Sequence, residues 1–392
     1  MGTISEQAAI LRQQWETDRR WTGIERTYSA EDVIRLRGSV AEEHTLAWLG
    51  AVRLWDLLHG PDVTRAVRGS QAMRMAAAEP RAAYLSGGRV ARDGNLAGQT
   101  CPPGNPMPAM VRQVNRAMLR ADSVACWERG DDVPAPRWPV PVVADAEAGS
   151  SGVLNAFDLV TAMIEAGAAG IHFEDRVPME KADGQSGGAV LIPTARHVQT
   201  LNAARLAADV LDVPAIVIAR TAATAGTVLA SDADERDDEL LTGEQTAEGF
   251  YRVRPDLYGC VTRGLAFAPY ADLLWLEVSA PDLAEARAFA QIIHSRYPGK
   301  MLAYSCPSRD GADTAQFQEE LAAMGYRFQL IAPAGSRTPA ARQLEADIRY
   351  FDRVTQAITP ERDIAALAVA LESAHFVGDD QIDHHGRLVP AD

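Results

Sequence analysis

From residue 82 onward, short apolar runs alternate with longer amphipathic stretches. The runs are Ala82 to Leu85, Val140 to Ala144, Gly170 to Phe173, Pro214 to Ala219, Asp272 to Leu276, Met301 to Tyr304 and Arg327 to Ile331. Between them, Val153 to Ala166 and Val198 to Val210 carry apolar residues at helical spacing, the first ended by Gly167 and the second by Val213-Pro214. Alternation of this kind predicts a parallel sheet covered by helices, hence an α/β fold. Seven strands are readable, and an eighth is sought near Val63 to Met73; eight would close a barrel, whereas fewer would leave an open doubly wound sheet.

Before residue 60 the texture is helical. Ser29 followed by Glu31 and Asp32 reads as a cap, and Leu46, Leu49, Val52 and Leu57 recur at helical spacing. The chain accordingly divides into an N-terminal helical region over 1–60, the alternating strand and helix region over 61–346, and a C-terminal helix and tail over 347–392. Two irregular stretches interrupt the alternation, Gly94 to Pro108 and Thr227 to Gly249. The second carries Asp232, Asp234, Glu235, Asp237, Asp238 and Glu239 and reads as a solvated acidic loop.

Composition narrows the function. The 392 residues hold 38 Lys+Arg against 53 Asp+Glu, a net charge of −15, with no basic block to neutralise phosphates, so nucleic acid is not an expected partner. Cys101, Cys126, Cys260 and Cys306 form no CxxC pair, as expected of reduced thiols. Met1 to Trp21 contains no continuous apolar run, which argues against a signal peptide or a membrane span. A soluble, cytoplasmic protein is the expectation.

Polar residues fall where such sheets do chemistry. Val142 to Ala144 runs into Asp145 and Glu147, Ile171 to Phe173 into Glu174 and Asp175, Ile216 to Ala219 into Arg220, and Leu273 to Leu276 into Glu277. In a parallel barrel these carboxyl ends share one face, so residues distant in sequence converge on one cavity. Carboxylates gathered there repel one another unless a cation neutralises them, and oxygen ligands without His or Cys suit Mg²⁺ or Mn²⁺. Arg220 offers a planar fork for a substrate carboxylate. Ser86-Gly87-Gly88 adds donors for an anion, although it is also a common turn. His172, inside an apolar run, reads as a packed structural histidine, and His384-His385 as an exposed pair in the tail.

Extended motifs then resemble isocitrate lyase: Trp21-Thr-Gly-Ile, Tyr28-Ser-Ala-Glu-Asp-Val, Tyr84-Leu-Ser-Gly, Val143-Ala-Asp-Ala-Glu-Ala-Gly149, His172-Phe-Glu-Asp175, Ala266-Phe-Ala-Pro-Tyr-Ala-Asp272 and Tyr297-Pro-Gly-Lys. The resemblance runs from about Trp15 to about Gly335 and implies the phosphoenolpyruvate mutase/isocitrate lyase superfamily. It implies a (β/α)₈ TIM-type barrel, Mg²⁺ at the strand ends, cleavage of a C–C bond beside a 2-oxo acid, and assembly as a homo-oligomer, dimer or tetramer. Its metal-centre residues match Asp145, Glu147 and Glu174. Its glyoxylate contacts match Ser86, Gly87, Asp145 and Arg220, and a further substrate-site glutamate matches Glu277.

Departures from the family pattern shift the expected substrate. The family loop Lys-Lys-Cys-Gly-His reads Lys181-Ala182-Asp183-Gly184-Gln185, so the catalytic thiol is replaced by Asp183. The succinate-binding Asn-Cys-Ser-Pro-Ser segment reads Tyr304-Ser305-Cys306-Pro307-Ser308, with Ser305 and Ser308 as candidate contacts; a metal-water carboxylate aligns with Pro103, and the family's Trp is Gly88. A helical insertion between Gly335 and Tyr350 looks deleted. The expected enzyme is a Mg²⁺-dependent lyase acting on a 2-hydroxy or 2-oxo acid other than isocitrate, with Asp183 as acid/base and Lys181 as a substrate contact. Two alternatives stay open: a C–C hydrolase of the same superfamily, recognised by its products, and an inactive homologue.

Overall fold

The computed structural model describes residues 2–68, 82–86, 107–128, 140–146, 152–177, 189–278, 280–309 and 314–333, with the short pairs 381–382 and 388–389. Two compact units divide the chain, Met1–Ala334 and Gly335–Asp392.

Three helices open the first unit: α1 (Ile4–Thr17), α2 (Ala30–Leu36) and α3 (Thr45–His59). Reciprocal capping boxes start the first two, Thr3 with Glu6 and Ser29 with Asp32, so the cap read at Ser29 forms as expected. Strands β1 (Thr64–Arg68), β2 (Ala82–Leu85), β3 (Val142–Asp145) and β4 (Gly170–Glu174) come after them, with α4 (Met107–Glu128) after β2 and α5 (Val153–Glu165) after β3. Next come β5 (Ala189–Leu191), α6 (Thr194–Val210), β6 (Ile216–Thr221), β7 (Gly226–Leu229), β8 (Leu241–Gln245), β9 (Tyr251–Val253) and α7 (Leu257–Phe267). The unit ends with β10 (Leu273–Glu277), α8 (Leu283–Arg296), β11 (Met301–Arg309), α9 (Thr314–Ala323) and β12 (Tyr326–Pro333).

Eight of these strands pair in parallel in the order β1-β12-β11-β10-β6-β4-β3-β2, and β1 also pairs with β2, which closes the sheet. β1 is the eighth strand, inside the window Val63 to Met73. Six of the eight lead into described helices; the segments after β1 and β12 lie outside the described residues. In the second unit only an antiparallel pair is described, β13 (Gln381–Ile382) with β14 (Leu388–Val389); the rest of the expected C-terminal helix and tail, His384-His385 included, lies outside the described residues.

Both faces of the strands are buried, which is why the runs read as continuously apolar rather than alternating. Tyr84, Val143, Ile216, Ile218, Leu273, Trp275, Met301, Ala303 and Phe328 fill the lumen, while Leu85, Val142, Ala144, Ile171, Phe173 and Leu274 pack under the helices. Helix α3 closes the N-terminal end of the lumen with Leu54 and Leu58, both essentially inaccessible. Its close approach depends on absent side chains: a Cβ at Gly50 would meet Ala169 Cβ at 3.1 Å, and one at Gly170 would meet Leu54 Cδ2 at 3.1 Å.

A buried ion cluster secures the same end. Asp272 Oδ1 accepts from Arg20 Nη1 at 2.5 Å, and its Oδ2 accepts from Arg205 Nη2 at 2.5 Å and from the Val217 amide at 2.8 Å. Guanidinium and indole groups alternate above it: Arg26 lies 4.1 Å from the Trp15 ring and 4.6 Å from Trp21, and Arg20 lies 4.5 Å from Trp21 and 4.3 Å from Trp55. Packing of α1 and α2 against Leu206 and Val210 completes this region.

The stretch from Thr227 to Gly249 is not the solvated loop expected from its charge. It contributes β7, a 3₁₀ turn at Glu235–Leu240 and β8 to a four-stranded sheet of order β5-β7-β9-β8. Asp237 is fully buried: it pairs with Arg263 Nη1 at 2.8 Å and accepts from the amide and hydroxyl of Thr194 at the start of α6. Asp232, Glu235, Asp238 and Glu239 remain exposed, whereas the Asp234 side chain is 9% exposed and accepts from the Ala195 amide in the first turn of α6.

Burial alone would raise the Asp272 carboxyl, and Arg20 and Arg205 more than reverse that, holding it below the usual carboxylate range. A depressed folded value contributes stability above the unfolded value of about 4, which is lost as pH falls through it. Asp272→Asn leaves two buried guanidinium groups short of charge and is expected to cost about 3–5 kcal/mol at pH 7 in urea unfolding, the difference from the parent narrowing below about pH 4.

Candidate active site

Side chains alternate along a strand, so the residues two apart from a lumen residue also face the lumen. Counting up from Val143, Ile218, Trp275 and Ala303, that rule turns Asp145, Arg220, Glu277 and Ser305 inward at the carboxyl ends of β3, β6, β10 and β11. On β4 it turns His172 and Glu174 inward. Register aligns them: Asp145 pairs with His172, Glu174 with Arg220 and Glu277 with Ser305. The predicted convergence of Asp145, Glu174, Arg220 and Glu277 on one mouth is therefore present, with Ser86 just beyond β2 on its rim.

Glu174 and Arg220 form the charged centre. Arg220 Nη1 lies 2.6 Å from Glu174 Oε1, its Nη2 pairs with Glu277, and Arg176 Nε pairs with Glu174 Oε2. The Glu174 side chain is 3% exposed and that of Arg220 11%, whereas Glu277 is 40% exposed. Burial opposes the charge on Arg220, yet Glu174 and Glu277 hold its pKa well above the ordinary value. Among the described residues its buried Nε–H has no acceptor, as is also true of Arg20 and Arg205 at the other end of the barrel.

Beneath this layer lie aromatic rings. Trp275 stacks 5.1 Å under the Arg220 guanidinium and donates its indole N–H to Ser305 Oγ at 2.8 Å. A hydrogen bond of 2.9 Å joins the Tyr84 hydroxyl and His172 Nε2. Burial, reinforced by the Arg220 charge, pushes His172 down to about 3, and burial with the Asp145 charge raises Tyr84 well above its usual value. His172 is thus packed and hydrogen-bonded, as expected.

One point of the expectation changes. The acidic residues were expected without a histidine beside them, yet Asp145, His172 and Glu174 place one ligand atom each within 4.8 Å of one another. The strand period of two brings His172 to the face of Glu174 and opposite Asp145. Its Nε2 is bonded to Tyr84, and the carboxylate oxygens of Asp145 and Glu174 beside it are hard donors of the kind that would fit Mg²⁺ or Mn²⁺.

Glu147, Gly87, Gly88, Pro103, Lys181, Asp183 and Gln185 lie outside the described residues, as do the side chains of Cys306, Pro307 and Ser308. Sequence reasoning missed Tyr84, Trp275 and Arg176 as members of the mouth. The signal was available: each lies two residues from a predicted site residue, Ser86, Glu277 or Glu174, on the same strand line.

Comparison with known proteins places this geometry in context. A model of the isocitrate lyase family matches residues 123–247 and 242–361. The chain is 49% identical over 356 residues to the isocitrate lyase of Escherichia coli K12, covering 86% of this chain and 82% of that protein. It is 43% identical over 420 residues to the isocitrate lyase of Mycobacterium tuberculosis H37Rv, covering 94% and 98%. Among solved structures, 2,3-dimethylmalate lyase, a member of the PEP mutase/isocitrate lyase superfamily, superposes with a TM-score of 0.52 at 20% identity over 86% of this chain and 97% of that one. Oxaloacetate acetylhydrolase superposes at 0.50 and 20% over 83% and 96%. At that identity the likeness is one of fold.

Tyr84→Phe deletes the partner of a fully buried imidazole nitrogen and is expected to cost about 1–3 kcal/mol in urea unfolding at neutral pH. Because the folded value of His172 lies below the unfolded 6.5, the neutral ring destabilises the fold as pH drops below that value. Imidazole nitrogen shifts from NMR should show His172 uncharged from pH 8 down to pH 5; a midpoint near 6.5 would contradict the buried placement.

Proposed function

The chain belongs to the isocitrate lyase family, and on that premise we propose that it is a Mg²⁺-dependent carbon–carbon lyase acting on a 2-hydroxy or 2-oxo carboxylic acid other than isocitrate. The observation that carries the reading is the meeting of Asp145, Glu174, Arg220, Glu277 and Ser305 at the carboxyl ends of strands that are buried on both faces. The framework is read as a (β/α)₈ barrel spanning 61–346, flanked by the helical region 1–60 and the tail 347–392, and assembled as a homo-oligomer in the cytoplasm.

Asp145, with Glu147 and Glu174, would hold the cation, which when bound supplies Lewis-acid stabilisation of negative charge on the oxygen beside the scissile bond. Arg220 binds the substrate carboxylate: Glu174 and Glu277 fix its plane, and its Nε–H, without an acceptor among the described residues, supplies a donor. Ser86, Gly87 and Gly88 complete the anion cradle. Trp275 excludes water from below and orients Ser305 for contact with the rest of the substrate. Asp183, in place of the family's thiol, delivers a proton to the departing carbon, and Lys181 and Ser308 contact the leaving fragment.

Two features support a substrate other than isocitrate. The family's proton-donating cysteine is absent from 181–185. Tyr304 turns away from the mouth, packing 5.5 Å from the Tyr326 ring and 5.9 Å from the Phe317 ring, with its hydroxyl accepting from the Asp282 amide at 3.2 Å. Ser305 is then the described donor that β11 offers at this level.

A panel of small 2-hydroxy and 2-oxo acids assayed with Mg²⁺ is expected to reveal release of a carbonyl product, abolished by chelation and reduced at least a hundredfold in Asp145→Ala. Asp183→Ala is expected to lose about 10²–10⁴ in kcat, and an unchanged rate removes Asp183 from the chemistry. Two acids in place of a carbonyl product would mark hydrolysis, and robust turnover of isocitrate would overturn the substrate assignment.

A further inference from the structure

A cavity of about 510 Å³ opens between α1, α3 and the end of α6, with Trp15, Trp21, Trp48 and Trp55 in its wall. Val213 and Pro214, just before β6, also line it, so it lies at the opposite end of the barrel from Arg220 and Glu277. Most of its charged and aromatic groups are engaged within the chain. Arg20 lies against Trp21 and Trp55, and Arg26 against Trp15 and Trp21. Asp18 accepts from the Arg20 amide, Arg37 donates to the Asp209 carbonyl and to Asp212, and the Asp209 carboxylate holds Arg26 and Tyr28. Three groups in the wall are unengaged among the described residues. The Trp48 indole, 47% exposed, stacks on no ring or guanidinium, and the exposed side chains of Gln14 and Arg19 have no hydrogen-bond partner.

An open indole, a carboxamide and an unpaired guanidinium on one cleft match one ligand chemistry. An indole face takes a planar π-system. A carboxamide offers both donors and an acceptor to the edge of a nitrogen-bearing ring. A guanidinium meets a carboxylate or phosphate through two parallel hydrogen bonds. The volume falls within the range of about 300–1,000 Å³ usual for small-molecule sites, and the wall has their make-up, aromatic and apolar with a few polar groups. We propose that this cavity is a second small-molecule site, for a heteroaromatic anion whose ring lies on Trp48 and whose charge meets Arg19. The carboxylates that would oppose an anion, Asp18, Asp209 and Asp212, are the ones already turned to partners in the chain. No residue of the site belongs to the barrel mouth, so the inference stands apart from the cation and substrate assigned there.

The test uses AMP and indole-3-acetate, a purine phosphate and an indole carboxylate, with adenosine, inorganic phosphate and acetate as ring or charge alone. Calorimetry and saturation-transfer NMR on the full chain are expected to show saturable binding of at least one of the two anions, with a Kd under about 1 mM. Its separate parts are expected to bind at least about tenfold more weakly. Trp48→Ala is expected to weaken binding at least about fivefold, the scale of one lost stacking contact, and Arg19→Gln about tenfold, the scale of one lost charge-assisted hydrogen bond. Both side chains are exposed, so thermal unfolding is expected to stay unchanged, which separates loss of the site from loss of the fold. No saturable binding of either anion, or binding that neither variant alters, would overturn the proposal. A parent that binds neither anion but sediments as a larger species than Trp48→Ala would overturn it in favour of a second copy of the chain covering the cleft.

Discussion

A carboxylate such as Glu174, 3% exposed at the end of a strand buried on both faces, persists as an anion only where cations meet it closely. That requirement organises the mouth of the barrel. Arg220 and Arg176 satisfy Glu174, Glu277 shares Arg220, and Trp275 lies under the guanidinium where water would otherwise screen it. With the screening removed, each pairing is strong, and the loss or gain of one charge is felt by all the others. The same condition that makes the cluster costly to build lets it polarise a small acid once a cation and substrate enter.

The two ends of the barrel divide the work. At the N-terminal end α3 fills the lumen with Leu54 and Leu58, and the Arg20–Asp272–Arg205 cluster, capped by alternating indole and guanidinium groups, ties the first helices to β6 and β10. The charges there pair with one another, the Arg20, Arg205 and Asp272 side chains being 8%, 1% and 1% exposed. At the opposite end the Glu277 side chain, paired with Arg220, is 40% exposed. Charges sealed from solvent serve the fold, whereas charges open at the carboxyl ends of the strands are the ones a ligand can reach.

Much of this was legible in sequence because strand and site share one signal, an apolar run that stops on a charge. Asp145, Glu174, Arg220 and Glu277 were found that way, and parallel strand geometry did the rest by turning their ends to one side. The roles given to Lys181 and Asp183 are read from resemblance instead, which carries residues over by alignment and not by physics. Asp237 was misread because five neighbouring acidic positions are solvated or half-buried and nothing in the run singles out the inward one; its partner Arg263, an arginine inside an apolar helix, was the available clue. Tyr84 and Trp275 were passed over for the opposite reason, since aromatic residues in an apolar run look like core, which in part they are.

Asp175 shows how the misread run bears on the site. Glu174 and Asp175 are consecutive, so one faces the lumen and the other faces the helices; Arg220 and Thr221 stand in the same relation on β6. Behind the sheet, fully buried Asp175 accepts from Thr221 Oγ1, from the Ala222 amide and from Arg263 Nε, each at 2.8 Å. Arg263 in turn donates to the Ile192 carbonyl and to Asp237, and Asp237 holds the first turn of α6. The ends of β4 and β6 are thus bolted together from the rear, at the residues next to the two that meet in front. A shift of either strand end would have to break buried hydrogen bonds to Asp175, so the distance between Glu174 and Arg220 is set by contacts that never touch a ligand. Precision at the mouth comes from charges hidden behind it, and the acidic stretch that looks like a loop supplies one of them.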